Sequence, residues 1–270
     1  MKWINKSNGK YRKRGRRIVE NFLDRAWSEQ ESSYINCNYK SLKDEHRIDR
    51  LLLEQQHYHC CYCMRLVDFK QHTTLEHIIP HKLKCEEMRT KVSREDPPYP
   101  HFCAYENLVV SCDGSIPDPE YPNIILPGKL HLCCNNVRGN DKILPLFFIR
   151  RISKDIIYKP NGEIDYRKGK YEKKEKYEKR RTKYKETIEA LKLEHGTLKL
   201  MRRAWAGIVV GNRFTIDDIR NAGKDKQLRE DILLESPIPV EDSKTLKSDL
   251  YWNTFFSYNW FYSYFKKPKK

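Results

Sequence analysis

Over most of the chain, apolar side chains recur at helical rather than strand spacing. Ile18, Phe22, Leu23 and Trp27 fall on one stripe, which predicts an amphipathic helix over Ile18–Gln30. Ser41 is placed to cap a second helix running to Gln56, with Leu42, Ile48, Leu51 and Leu52 as its apolar positions; Glu45 stands one residue beyond the capping-box spacing. Residues 57–145 break the pattern. No long helix fits there, Pro and Gly are scattered throughout, and eight of the nine cysteines are found there. That predicts a small unit stapled by metal, in which coordination bonds stand in for an apolar core. Asp155–Tyr166 has β-branched residues on either side of Asn161-Gly162, a hairpin signal. A long, highly charged helix follows over Lys170–Ala204, interrupted at Gly196. Thr215 then caps a further helix to Ile232, with Asp217 and Asp218 in its first turn. Ten of the fifteen residues in 251–265 are aromatic, and there is no internal repeat. The expected fold class is α+β in three regions: a basic leader and helices (1–56), a cysteine-rich unit (57–145), and a hairpin with a basic helical region and aromatic tail (146–270).

Charge narrows the range of partners. The 270 residues carry a formal net charge of +16. Residues 1–17 hold eight basic side chains and no acid, and 167–185 hold eleven basic and three acidic; outside these two stretches the charges balance. So concentrated an excess builds a local field that attracts polyanions, and nucleic acid is the expected partner. No run approaches the ~18 apolar residues of a membrane span. Met1–Arg17 has no apolar core of the kind a secretory signal needs. The expectation is therefore a cytoplasmic protein without a membrane partner. In that compartment cysteines serve more often as metal ligands than as disulfides.

Cys60-x-x-Cys63 has the spacing of a metal knuckle, in which two thiolates on one tight turn share a zinc ion. Cys112 and the Cys133-Cys134 pair supply the rest; Cys134 is the expected fourth ligand and Cys133 the alternative. Cys61 is expected to point away. Cys37, Cys85 and Cys103 lack a partner spacing and read as structural. His57, His59 and His72 flank the knuckle as minor ligand candidates, and His131 is an alternative zinc ligand. His46, His81, His101 and His195 read as structural or incidental. Within Thr74–Pro80, Glu76-His77 sets a carboxylate beside an imidazole at a strand end. The carboxylate suits a hard divalent cation, and the imidazole can take a proton from water near neutral pH. Because successive strand side chains face opposite ways, joint action requires a twist or bulge there.

The order Cys60-x-x-Cys63, Glu76-His77-Ile-Ile-Pro80, Asn107-Leu-Val-Val-Ser-Cys112 and Cys134-Asn135-x-x-Arg138 resembles the HNH endonuclease family. The R-G-N ending, the hairpin and the helix order are similar to the nuclease subunit of Septu-type and retron-associated bacterial antiphage systems. The resemblance covers about a third of the chain. It implies a zinc-stapled ββα-metal unit flanked by mainly helical regions. It also implies that His77 is the general base, that Asn107 fastens the loop beneath it, and that Glu76 and Asn135 hold a catalytic Mg²⁺ or Mn²⁺. Arg138 stands where the family has Lys and would contact phosphate. Cys60, Cys63, Cys112 and Cys134 form the structural Zn²⁺ site. Asn136 competes with Asn135 for the metal, and residues 113–132 form a longer insertion than the short form of the motif carries.

The expected activity is metal-dependent hydrolysis of DNA in antiphage defence. The rival readings are a zinc-stapled nucleic-acid-binding module without cleavage, and an RNA-cleaving toxin. Arg180, Arg181, Lys183 and Lys185 are the expected nucleic-acid contacts on the basic helix. The resemblance also implies an ATPase partner subunit, and the aromatic tail, apolar all round with five residues after it, is expected to dock on it, the alternative being that it packs into the C-terminal region and covers its core.

Overall fold

The structure, a computed structural model, describes residues 1–31, 33–34, 37–68, 73–82, 100–116 and 132–266. His72, Cys85 and His131 lie outside the described residues. The described chain is mixed: helices with three two-stranded antiparallel sheets, consistent with α+β.

The basic leader is itself helical. Helix α1 spans Gly9–Ala26, nine residues earlier than its apolar stripe begins, because Asn8 accepts from the Lys10 N–H and caps it. Its buried face, Val19, Phe22, Leu23 and Ala26, lies toward α3 (Ile48–Gln55). Its arginines find acids: Arg16 pairs with Glu106 at 2.7 Å and Arg14 with Glu54 at 3.3 Å. Trp27 falls outside the helix, in a short sheet of β1 (Trp27–Ser28) and β2 (Ser33–Tyr34). The single helix expected over 41–56 is two, α2 (Tyr39–Asp44) and α3, broken at Arg47, which adopts a left-handed conformation (φ 52°). Asn38, not Ser41, caps the first.

Strands β3 (Thr74–His77) and β4 (Leu108–Ser111) form the sheet of the cysteine-rich unit, with Glu76 opposite Val109 and His77 opposite Leu108. Gln56 extends this sheet by side chain: its amide donates to the Val110 carbonyl (2.7 Å) and accepts from the Val110 N–H (2.8 Å). The expected hairpin forms from β5 (Ile156–Tyr158) and β6 (Ile164–Tyr166). Gly162 turns it at φ +86°, and a Cβ there would meet the Lys199 carbonyl at 2.3 Å. The basic helix runs Lys174–Ala190, and a central helix, Gly196–Gly211, follows after a break at 191–195. Thr215 makes the full capping box with Asp218. The helix it starts ends at Asn221, and Asp225 caps a separate one, Lys226–Glu235.

The tail corrects the docking expectation. It folds as two helices, Asp249–Ser257 and Trp260–Lys266, and the second packs along the central helix. Tyr251, Trp252, Phe255, Tyr258 and Phe261 are at most 2% exposed. Trp205 stacks on Phe255 at 4.3 Å and donates its indole N–H to the Phe255 carbonyl; the Tyr158 ring meets Phe261 edge-on at 5.0 Å. The cover is supplied by the central helix and the β5–β6 hairpin, which precede the tail in the chain. One apolar core runs through all three sequence regions. The Leu66 N–H donates to the Ser257 carbonyl and the Cys134 N–H to the Leu191 carbonyl, which ties the cysteine-rich unit to the C-terminal helices. No helix among the described residues is long and apolar enough to cross a membrane.

Candidate functional site

The knuckle is shaped by its backbone. The Cys60 N–H donates to the Arg65 carbonyl, the Cys61 N–H to the Val110 carbonyl and the Met64 N–H to the Cys60 carbonyl, and Met64 takes a positive φ. The Tyr62 N–H points at Cys60 Sγ (3.5 Å). Strand β4 delivers Cys112. The last cysteine comes from a second crossing, where the Cys133 N–H donates to the Gly114 carbonyl. Gly114 (φ +75°) permits that approach, since a Cβ there would meet the Cys133 carbonyl at 2.2 Å.

The sulfurs of Cys60, Cys63, Cys112 and Cys134 all lie within 4.8 Å of one another and are buried. Cys63 and Cys112 are 3.7 Å apart and Cys60 and Cys134 3.9 Å apart. A tetrahedron with Zn–S of ~2.3 Å has edges of ~3.8 Å, so the four thiols fit a zinc ion. Burial pushes the Cys60 thiol up, but hydrogen bonds with Cys112 and Cys134 prevail and bring it down to about 5. The hydrogen bond with Cys133 pushes the Cys112 thiol up, and burial does the same for Cys134. Cys133 is buried beside the cluster but outside the four that converge. His57 and His59 are not among the converging groups either.

The Glu76-His77 step runs through the sheet in unbroken register, without the expected bulge. The two side chains therefore part. Glu76, 3% exposed, accepts from the Tyr62 hydroxyl (2.8 Å) and forms an ion pair with Arg138, both on Oε1. Burial pushes the Glu76 carboxyl up, and Arg138 pulls it part of the way back. His77 turns to the other side, where its Nε2 lies 3.1 Å from the Phe102 carbonyl and its ring 6.0 Å from that of His81. A carbonyl only accepts, so Nε2 carries the proton and Nδ1 is the basic nitrogen. Burial first, then His81, lowers the His77 pKa to about 4.

Asn107 sits beneath that turn. Its Oδ1 accepts from the Ile79 N–H (2.7 Å), and its Nδ2 donates to the carbonyls of Ile79 (3.2 Å) and His101 (3.0 Å). His101 in turn approaches the Pro80 carbonyl at 3.2 Å. Asn135 is half-buried and opens the short helix Asn135–Arg138 directly after Cys134; Asn136 is exposed and donates to the Asp113 carbonyl.

Arg138 departs from its expected role as a phosphate contact. It is 2% exposed, and its guanidinium donates to Glu76, the Tyr62 hydroxyl and the carbonyls of His77, Ile78 and Asp141. A group so fully engaged inside the fold offers no edge to a phosphate. On the basic helix, Arg180 is likewise engaged, pairing with both oxygens of Glu172 (3.0 and 2.7 Å) and with Asp155 (3.3 Å). Arg181 reaches Glu178 at 3.5 Å and Lys185 reaches Glu189 at 3.4 Å. Lys183 is exposed and has no ion-pair partner among the described residues.

Four features were missed from sequence. Gln56 and Tyr62 act on the strand and on Glu76, and neither is marked by a spacing. His81, read as incidental, brings its ring to 6.0 Å from that of His77 just past Pro80. Cys37 and Cys103, read as isolated, bring their sulfurs to 3.2 Å. No protein-family model matches the chain, and no curated protein matches it either.

Proposed function

We propose that the chain is an HNH-type endonuclease that hydrolyses phosphodiester bonds, with DNA as its substrate and bacterial antiphage defence, alongside an ATPase partner, as its setting. The observation that carries the reading is the mounting of His77. A neutral imidazole ends a strand, its Nε2 is anchored to the Phe102 carbonyl, and Asn107 locks the turn beneath it, on a scaffold where four thiols converge. Such a base needs a defined tautomer, which the Phe102 carbonyl supports, and a neutral ring to accept a proton, which burial favours. In this reading Nδ1 takes the proton of the attacking water, and the imidazolium is held in place by the carbonyl opposite Nε2. Zinc at the four cysteines supplies folding energy and no chemistry.

The reading also calls for Mg²⁺ or Mn²⁺ on Glu76 and an Asn amide. As folded, Glu76 does not fit that role: its carboxylate is buried and already neutralised by Arg138. A dication on the same group would face the guanidinium across a few ångströms. That pair favours a second reading, a zinc-stapled nucleic-acid-binding module without cleavage.

Incubating the purified protein with plasmid DNA or RNA, in Mg²⁺, Mn²⁺ or EDTA, separates the two. The nuclease reading expects nicked or linear DNA that EDTA abolishes. Replacing His77 with Ala is expected to slow cleavage by ~10²–10⁴-fold with zinc content unchanged. Binding without cleavage in every metal establishes the module instead.

A further inference from the structure

The fold sorts the basic helix into engaged and free charge. Arg180, Arg181 and Lys185 pair with acids. Lys176, Lys179 and Lys183 are exposed and have no ion-pair partner among the described residues. Spaced by three and four residues, they stand on one stripe of Lys174–Ala190. That stripe forms one wall of a groove of about 310 Å³, whose floor includes Leu144, Ile149 and Tyr184. No acidic side chain lines it.

A short run of chain links the groove to the candidate site. Its floor comes from the segment that leaves Arg138, the residue that holds Glu76 and the carbonyls of His77 and Ile78. Leu144 is three residues beyond Asp141, whose carbonyl accepts from Arg138, so at most ~10 Å of chain separates them.

From this sorting we infer that the groove is a track for the sugar–phosphate backbone of nucleic acid, with Lys176, Lys179 and Lys183 on phosphates along one strand. The inference rests on the nucleic-acid reading above. Seven residues of helix spread the three ammonium groups over ~10 Å. A nucleic-acid strand presents a phosphate every ~3.4 Å of axis, so the row spans about three such intervals and lies along a run of phosphates. A compact anion would need the charges gathered around one point. The apolar floor suits the sugar face and asks for no base identity, so the track reads backbone rather than sequence.

The test is fluorescence anisotropy with a labelled DNA duplex and its RNA counterpart, in EDTA, across a salt series. Replacing Lys176, Lys179 and Lys183 together with Gln is expected to reduce the slope of log K against log salt by ~2–3, at ~0.9 per lost phosphate contact. The matched control replaces Lys174, Arg181 and Lys185, on the opposite face, with Gln and is expected to change it by less than ~1. Lys179→Gln alone, expected to remove ~1, serves if the triple variant fails to fold. An unchanged slope, or equal loss in variant and control, overturns the track. So does polyglutamate competing as well as DNA, which would mark a surface for acidic protein. Plasmid cleavage is scored separately. Cleavage with an unaltered slope removes the track alone, and an altered slope without cleavage removes the nuclease alone.

Discussion

Arg138 joins the short helix after Cys134 to the end of β3 with five hydrogen-bond contacts, one of them to a buried carboxylate. Removing one partner of such a pair leaves an uncompensated charge in the interior, which costs ~3–5 kcal/mol. Arg138→Gln is therefore expected to lower stability to urea by that amount, whereas a role on the surface predicts a change within ~0.5 kcal/mol. Asn107 is a milder case. Asn107→Ala strands the Ile79 N–H and the His101 carbonyl, at ~1–3 kcal/mol, and frees the turn that carries His77. The zinc ligands divide more sharply. Elemental analysis is expected to find about one zinc per chain, as one four-thiolate site binds one ion. Cys134→Ala abolishes it and Cys133→Ala retains it; the reverse pattern would move the ligand to Cys133.

At the scale of elements, the basic helix is fastened by Glu172 and Arg180. Hydrogen bonds from Arg180, then from the Gly169 N–H, hold the Glu172 carboxyl down to about 2 against an ordinary 4.5. The folded pKa is depressed, so this contribution to stability is present above pH 4.5 and lost as pH falls toward 2. Melting temperatures of wild type and Glu172→Gln should differ at neutral pH and converge over that window; a constant gap would mean that the pair does not set the difference. This helix also marks the limit of what could be read in advance. Its existence, the Asn161-Gly162 hairpin and the Thr215 cap were legible because each is encoded within a few residues. The cysteine quartet was legible because thiol spacing is chemically specific. The partition of the lysines and arginines was not, since Glu172 and Asp155 reach Arg180 only through the fold. The start of α1 was missed because Asn8 caps a turn in which Tyr11 is the one apolar side chain, too little to announce a period. The two-helix break at Arg47 was missed because the apolar periodicity carries across it.

On the scale of the whole molecule, the aromatic tail is core. Replacing one buried aromatic typically costs ~3–5 kcal/mol, and five are lost with residues 251–270, against a total stability of ~5–15 kcal/mol for a domain. Deleting the segment is expected to abolish the cooperative melt in circular dichroism; a truncated chain that melts as wild type would return the tail to the surface. The same geometry places Tyr258 beside the knuckle, where the negative charge of Cys63 and Cys133 adds to burial in raising its hydroxyl.

The bond from Leu66 to Ser257 has a consequence for how the molecule is made. At ~5–20 residues per second, a ribosome delivers the knuckle roughly ten to forty seconds before the helix that covers it. During that interval Cys60 and Cys63 wait first for Cys112 and Cys134 and then, with all four thiols made, for the roof at Ser257. A chain interrupted before Ser257 has every residue of the candidate site but lacks this part of its cover.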